Sequence, residues 1–191
     1  MTRIIAGSAK GHRLQVPRAG TRPTSDRVRE AMFSTSGSWL ASQDRPWSSV
    51  AVLDLFAGSG ALGLEAASRG AEVAVLVERN PRVAAVIRRN AQACGLDHVR
   101  VLVAPALSLP ARAGDLPPFD LCLVDPPYEL DAVELGIGLA GIATGWLDPQ
   151  SLLVVERPAG DRRSPLPADW VVIDERRYGD TCLWYGRMHQ G

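Results

Sequence analysis

Phe119-Asp120-Leu121-Cys122-Leu123-Val124 is a mostly apolar, strand-like run that leads straight into Asp125-Pro126-Pro127-Tyr128. Each proline holds φ at about −65° and has no N–H, so the backbone past Val124 is stiff and presents carbonyl oxygens only. An acid, a carbonyl acceptor and an aromatic face suit one kind of substrate: a planar group bearing an exocyclic NH2, as on guanine or adenine. The lone pair of that nitrogen is delocalised into the ring. It turns toward an electrophile only when acceptors hold both hydrogens. Asp125 and the Pro126 carbonyl supply those acceptors while Tyr128 stacks on the base. The plainer use of Asp-Pro and Pro-Pro pairs is to end a strand in a turn.

A second constellation lies upstream. Gly58-x-Gly60-x-x-Gly63 follows a short apolar run, 51–56, and Glu78 comes 20 residues after Gly58, where an acid can hold ribose hydroxyls. The spacing by itself fits a dinucleotide as well as a sulfonium nucleoside. Asp54 favours the second, because an acid just before the turn repels a pyrophosphate but attracts the ammonium of a methionine moiety. The turn amides and the following helix N-terminus serve the carboxylate end of that moiety. The bland readings are that Asp54 only caps the turn and that Glu78 is a solvated strand end.

Net charge is zero, but its distribution is not even. Residues 1–30 carry Arg3, Lys10, Arg13, Arg18, Arg22, Arg27 and Arg29 against Asp26 and Glu30, a surplus of +5 on an acidic remainder. A basic end on an acidic body points to a polyanion, and a charged, solvated terminus is the alternative. Arginine forks match phosphate oxygens better than an ammonium does.

The elements that must position these groups alternate. Two short strands, 3–7 and 13–16, around a glycine-bounded turn read as a β-hairpin. A helix over 25–40 follows, capped by Thr24 or Ser25, with Asp26 in its first turn and Ser36-Gly37 weakening its end. Strands are expected at 51–56, 71–77, 99–103, 121–124 and 152–155, with helices at 64–69, from Asn80-Pro81 to Gly95, and at 131–143. Strands 170–176 and 181–185 flank Tyr178-Gly179-Asp180 as an antiparallel hairpin. The sum is a doubly wound α/β sheet, parallel in its body and finished by a hairpin.

With 191 residues and 46% hydrophobic content, the chain has material for one domain with a sizeable core. No run approaches a membrane span and no signal-peptide core is present, so a soluble, cytoplasmic protein is expected. Cys94, Cys122 and Cys182, like His12, His98 and His189, are scattered, which favours neither disulfides, a zinc cluster nor a catalytic triad.

Asp54-Leu55-Phe56-Ala57-Gly58-Ser59-Gly60-Ala61-Leu62-Gly63, Asp125-Pro126-Pro127-Tyr128, Arg22-Pro23-Thr24-x-Asp26-Arg27-Val28-Arg29-Glu30 and Tyr178-Gly179-Asp180-Thr181 together resemble the RsmD family. These are bacterial guanine-N2 methyltransferases of small-subunit ribosomal RNA, and the likeness runs nearly the whole chain in order. It implies a class I methyltransferase fold, Rossmann-like and seven-stranded, comprising residues 21–191 behind a basic hairpin arm at 1–20. It further implies S-adenosyl-L-methionine as cofactor, no metal, a monomer, and 16S ribosomal RNA, within the small subunit, as partner. Carried onto this chain, Asp54, Phe56, Gly58, Ser59 and Gly60 line the cofactor, Glu78 takes its ribose, and Asp125, Pro126, Pro127 and Tyr128 hold the guanine amine. Arg3, Lys10, Arg13, Arg22 and Arg27 are the expected RNA contacts.

One departure stands out. Where such enzymes often place Asp or Asn to read the adenine, this chain has Ala104-Pro105-Ala106-Leu107. Pro105 has no donor to offer, so the reading falls to the Ala106 amide or another loop. Two rivals remain open: an adenine-N6 DNA methyltransferase, for which the chain leaves little room for a target-recognition domain, and a nicotinamide-dependent dehydrogenase, which leaves the Asp-Pro-Pro-Tyr motif and the basic end without a use.

Overall fold

The computed structural model describes residues 2–17 and 25–189. Five apolar runs become the parallel strands β1 (Ala51–Leu55), β2 (Val73–Val77), β3 (Val99–Leu102), β4 (Phe119–Val124) and β5 (Leu147–Pro158). β1 and β4 are buried along their whole length, which is why they read as unbroken apolar stretches rather than alternating ones. Asp120, the acid inside one of these runs, accepts from the Ala51 N–H at 2.8 Å and from Arg45 Nη1 at 2.7 Å, fastening the start of β4 to the start of β1. β6 (Trp170–Tyr178) and β7 (Thr181–Met188) form the expected hairpin, turned at Gly179 with φ of 62°.

The sheet order is β3-β2-β1-β4-β5-β7-β6, with only β7 and β6 antiparallel to their neighbours. The order reverses between β1 and β4. In such sheets the crevice beyond the carboxyl ends of the strands at the reversal is where ligands bind. In register there, Leu55 stands beside Val124, so the chain leaves β1 into the glycine turn next to where β4 gives way to Asp125.

Helices cover both faces. α1 (Asp26–Ser42), α2 (Ala61–Ser68) and α3 (Pro81–Ala93) close one core, through residues such as Phe33, Leu64 and Ile87. α4 (Ala132–Trp146) closes the other, through Leu135, Leu139 and Trp146. The capping residues act as their types predict: Ser25 Oγ accepts from Val28 N–H, and Asn80 Oδ1 from Arg82 N–H with Pro81 at the first helical position. Several expected boundaries shift, three of them for reasons visible in the packing. α1 runs through Ser36-Gly37, because Phe33, Ser36 and Leu40 are all buried on its inner face. α2 begins at Ala61, not 64, since Gly60 in the left-handed region serves as its N-cap. α4 runs on to Trp146 and straight into β5, which extends well beyond 152–155.

The N-terminal hairpin is reduced to one antiparallel bridge, Arg3 opposite Arg13, flanked by hydrogen bonds from Ile4 N–H to His12 O and from Leu14 N–H to Thr2 O. Over its described part it is not a projecting arm. Ile4, Ala9 and Leu14 enter the first core, and the fully buried Glu65 accepts from Ile5 N–H at 2.7 Å and Ala6 N–H at 3.0 Å. A Cβ on Gly7 would lie 1.7 Å from the Ser68 carbonyl, so only glycine lets the turn seat on the end of α2.

Candidate functional site

The crevice at the reversal collects most of the residues expected to do chemistry. After β1 the chain turns through Phe56, whose φ of 61° is a left-handed conformation that costs a non-glycine residue on the order of 1 kcal/mol or more. Gly58 and Gly60 follow at 54° and 82°. Ala57 N–H bonds to Val77 O at 2.9 Å and Gly60 N–H to Ala57 O at 2.7 Å, which draws the turn over the ends of β1 and β2. Gly63 faces Leu76 so closely that a Cβ would fall 2.5 Å from its Cγ. A Cβ on Gly58, by contrast, would meet only the Phe56 carbonyl at 3.8 Å, leaving space over the turn for a ligand.

Asp54 lies beneath this turn, not on its wall. It is 1% exposed, and its Oδ2 accepts from Gly63 N–H at 2.8 Å, so it performs the capping role foreseen as the bland alternative. Its Oδ1 is buried without a hydrogen-bond partner. Burial pushes its pKa up to about 8, opposed by the Gly63 N–H and reinforced by the charges of Asp125 and Glu78. Three carboxyl groups thus sense one another at the ends of β1, β2 and β4. Burial, with the charge of Asp54, also pushes the neighbouring Cys122 thiol far up, so it is no nucleophile.

Glu78 follows β2 directly and organises the loop: Oε2 accepts from Gly58 N–H at 3.2 Å and Oε1 from Asn80 N–H at 2.7 Å. A carboxylate has about four lone-pair directions, so these bonds leave acceptor capacity. Ala106 is buried beyond β3, its methyl packed in the second core.

Past β4, Asp125 is half-buried, Pro126 buried and Pro127 exposed. The Pro127 carbonyl accepts from Leu130 N–H at 3.1 Å, which closes the turn. Tyr128 is 42% exposed and lines a cleft with Leu130, Asp131 and Arg157.

Among the expected polyanion contacts, Arg3, Lys10, Arg13 and Arg27 are exposed, and Arg22 lies outside the described residues. Arg3 and Arg13 are directly opposite across the bridge, a like-charge pairing that costs stability unless an anion lies between them. Asp26 relieves part of that cost, 3.4 Å from Arg3 Nε. No group of His, Cys, Asp or Glu among the described residues could hold a metal, and no helix there is long and apolar enough to cross a membrane.

Sequence reasoning missed Asn90. Buried in α3, its side chain exchanges bonds with Gln15 (N–H to Oδ1 2.9 Å, Nδ2 to O 3.0 Å) and donates to Ser59 O at 3.1 Å. It ties the basic segment to the glycine turn. The available signal was a polar residue on the apolar face shared by Ala84, Ile87 and Ala91.

A reversed parallel sheet of this order, a glycine turn with an acid at the end of β2, and an acidic proline turn after β4 define a class I methyltransferase. An RNA methyltransferase from Salinibacter ruber, solved with S-adenosyl-L-homocysteine, shares this fold (TM-score 0.65, 16% identity, covering 89% of this chain and 95% of that one). The model of the family described as Conserved hypothetical protein 95 matches residues 2–187, and the chain belongs to that family, the RsmD family. The Ribosomal RNA small subunit methyltransferase D of Escherichia coli K12 is 37% identical over 191 residues, covering 99% of this chain and 91% of that protein. The solved yhhF structure from Escherichia coli superposes with a TM-score of 0.78 at 31% identity, covering 98% of this chain and 97% of that one.

Proposed function

We propose that this chain transfers a methyl group from S-adenosyl-L-methionine to the N2 amine of a guanine in small-subunit ribosomal RNA. The carrying observation is the register of Leu55 beside Val124, which sets the glycine turn and Asp125-Pro126-Pro127-Tyr128 side by side at the reversal of the sheet. Methyl donor and amine acceptor then share one crevice.

The residues fit the donor. The open face of Gly58 gives backbone access, Glu78 keeps acceptor capacity for ribose hydroxyls, and the unpartnered Oδ1 of Asp54 is a buried site for the ammonium, becoming negative as the carboxyl gives up its proton. Phe56, Ser59 and Gly60 complete the turn, and the Ala106 backbone takes the adenine edge. When bound, S-adenosyl-L-methionine supplies an electrophilic methyl on a sulfonium.

The chain's own work is positioning. Asp125 and the Pro126 carbonyl accept the two N2 hydrogens, the Pro127 carbonyl being committed to Leu130, while Tyr128 stacks on the base. Holding nitrogen and methyl in line at near-attack distance supplies ~7 to 11 kcal/mol of the barrier. With the donor bound, the amine would take the methyl as the thioether left, and Asp125 or water would accept the proton that the nitrogen then gives up. Arg3, Lys10, Arg13, Arg22 and Arg27 hold the RNA backbone.

The test is incubation of the purified protein with methyl-labelled donor and unmodified ribosomal RNA, followed by digestion and nucleoside identification. N2-methylguanosine at one position in small-subunit RNA is the expected product. N6-methyladenosine, or no labelled nucleoside, refutes the reading.

A further inference from the structure

Beside Tyr128 the surface opens into a cleft of about 470 Å3 whose walls carry Arg157, Arg162 and Arg163. Arg157, on β5, is only 2% exposed. Its Nε donates to Asp161 Oδ2 at 2.7 Å and its Nη2 to Leu130 O at 2.7 Å, while Nη1 is buried with no hydrogen-bond partner. A guanidinium is a rigid fork of five donors, and one that is buried with a branch unused is costly unless something completes it.

Formal charges in the cleft balance, since Glu129, Asp131 and Asp161 also line it. Two of those acids are already engaged. Asp161 pairs with Arg157, and Asp131 Oδ1 accepts from Val133 N–H and Glu134 N–H at the start of α4. What draws an anion is therefore unused donors more than net charge: the buried Nη1 of Arg157 and the exposed Arg162 and Arg163, of which Arg163, like Arg157, also feels the charge of Asp131. Paired guanidinium donors match the oxygens of a phosphate better than any other side chain does. Tyr128 is the one aromatic residue on the cleft wall among the described residues, so a base stacked on it leaves its sugar and phosphate to the arginines.

We infer that this cleft is a second RNA contact: it takes a backbone phosphate adjoining the nucleotide on Tyr128, with Arg157 at its base and Arg162 and Arg163 flanking it. The inference rests on the reading of Tyr128 as the base platform of a ribosomal RNA methyltransferase. It gives the substrate two separate phosphate grips, one at the N-terminal segment and one in the cleft beside Tyr128.

The test compares wild type with the Arg162→Gln/Arg163→Gln double variant, whose substitutions are exposed and spare the fold, and with Arg157→Lys, which keeps the charge and loses the fork. Binding of a ribosomal RNA fragment is titrated across salt, beside single-turnover methylation, S-adenosyl-L-methionine affinity and melting temperature. The double variant is expected to flatten the salt slope by ~0.7 to 0.9 for each lost contact. Arg157→Lys is expected to slow transfer by about tenfold with cofactor affinity unchanged, measured well below its melting temperature, which falls because Asp161 and Leu130 O lose their donors. Wild-type slope and turnover in the double variant overturn the inference and leave the methyltransferase reading standing. So does an Arg157→Lys variant that, folded and saturated with cofactor, transfers methyl at the wild-type rate. A wild type that methylates no ribosomal RNA removes the reading and the cleft proposal together.

Discussion

The charge of Asp125 reaches the buried carboxyl of Asp54 across the β1–β4 pair and, after burial itself, helps to hold it protonated to about pH 8. Between about pH 4 and 8 the folded chain thus carries a proton that the unfolded chain has lost, so stability falls as pH rises through that window. A bound ammonium reverses the preference. At pH 7, S-adenosyl-L-methionine binding should release close to one proton, with affinity rising by up to about tenfold per pH unit below 8. Calorimetry in buffers of different ionisation enthalpy measures the release, which Asp54→Asn should abolish while flattening the stability profile. Proton uptake, or release that persists in the variant, contradicts the role assigned to Oδ1.

Asp125→Asn should keep cofactor affinity or raise it slightly, since losing its charge eases deprotonation of Asp54, and nearly abolish transfer, because the amide offers a donor where the substrate NH2 needs an acceptor. Equilibrium dialysis and single-turnover methylation report the two quantities separately. Near-normal turnover would remove Asp125 from the reaction.

For Tyr128 the ring should matter more than the hydroxyl. Stacking on an extruded base is worth ~1 to 3 kcal/mol, so Tyr128→Ala should lose roughly one to two orders of magnitude in transfer and Tyr128→Phe little. Because the side chain is well exposed, neither should shift the melting temperature much. A Phe variant as slow as the Ala variant would move the role to the hydroxyl.

Replacing Arg3, Lys10 and Arg13 together by Gln should weaken RNA binding and flatten its salt slope by ~0.7 to 0.9 per lost contact. The fold should survive, since Arg29 Nη2 grips the Arg3 carbonyl, not its side chain, and Glu65 holds backbone amides. Relief of the Arg3–Arg13 repulsion should, if anything, raise the melting temperature. An unchanged salt slope would make the segment purely structural.

Asn90→Ala leaves Gln15 and Ser59 backbone groups without their partner and should cost ~1 to 3 kcal/mol in denaturant unfolding. Cofactor affinity should fall as well, because Ser59 belongs to the turn. A loss of stability with intact affinity would confine Asn90 to the fold.

Much of this was legible in the chain because stiff or permissive backbone announces itself locally. Asp125-Pro126-Pro127-Tyr128 had to end a strand, and Gly58, Gly60 and Gly63 had to make a tight turn before a helix, whatever surrounded them. Strand cores such as 121–124 were legible for a like reason: continuous apolar runs bury on both faces. Boundaries were less so. Gly60 could cap α2 only once the turn had been drawn down by Val77, and α1 could pass Ser36-Gly37 only because a core lay under that face.

What the sequence by itself determined, then, is the set of strands and turns and the chemistry each could offer. The tertiary structure alone decided that Asp54 is a support beneath the turn whose pKa burial raises, that the basic N-terminus is seated on Glu65, that Asn90 joins it to Ser59, and that Arg157 waits beside Tyr128. Each of these depends on groups far apart in the chain, 60 residues from Ile5 to Glu65 and 75 from Gln15 to Asn90, and the desolvation that sets their energies exists only after the sheet and helices have packed.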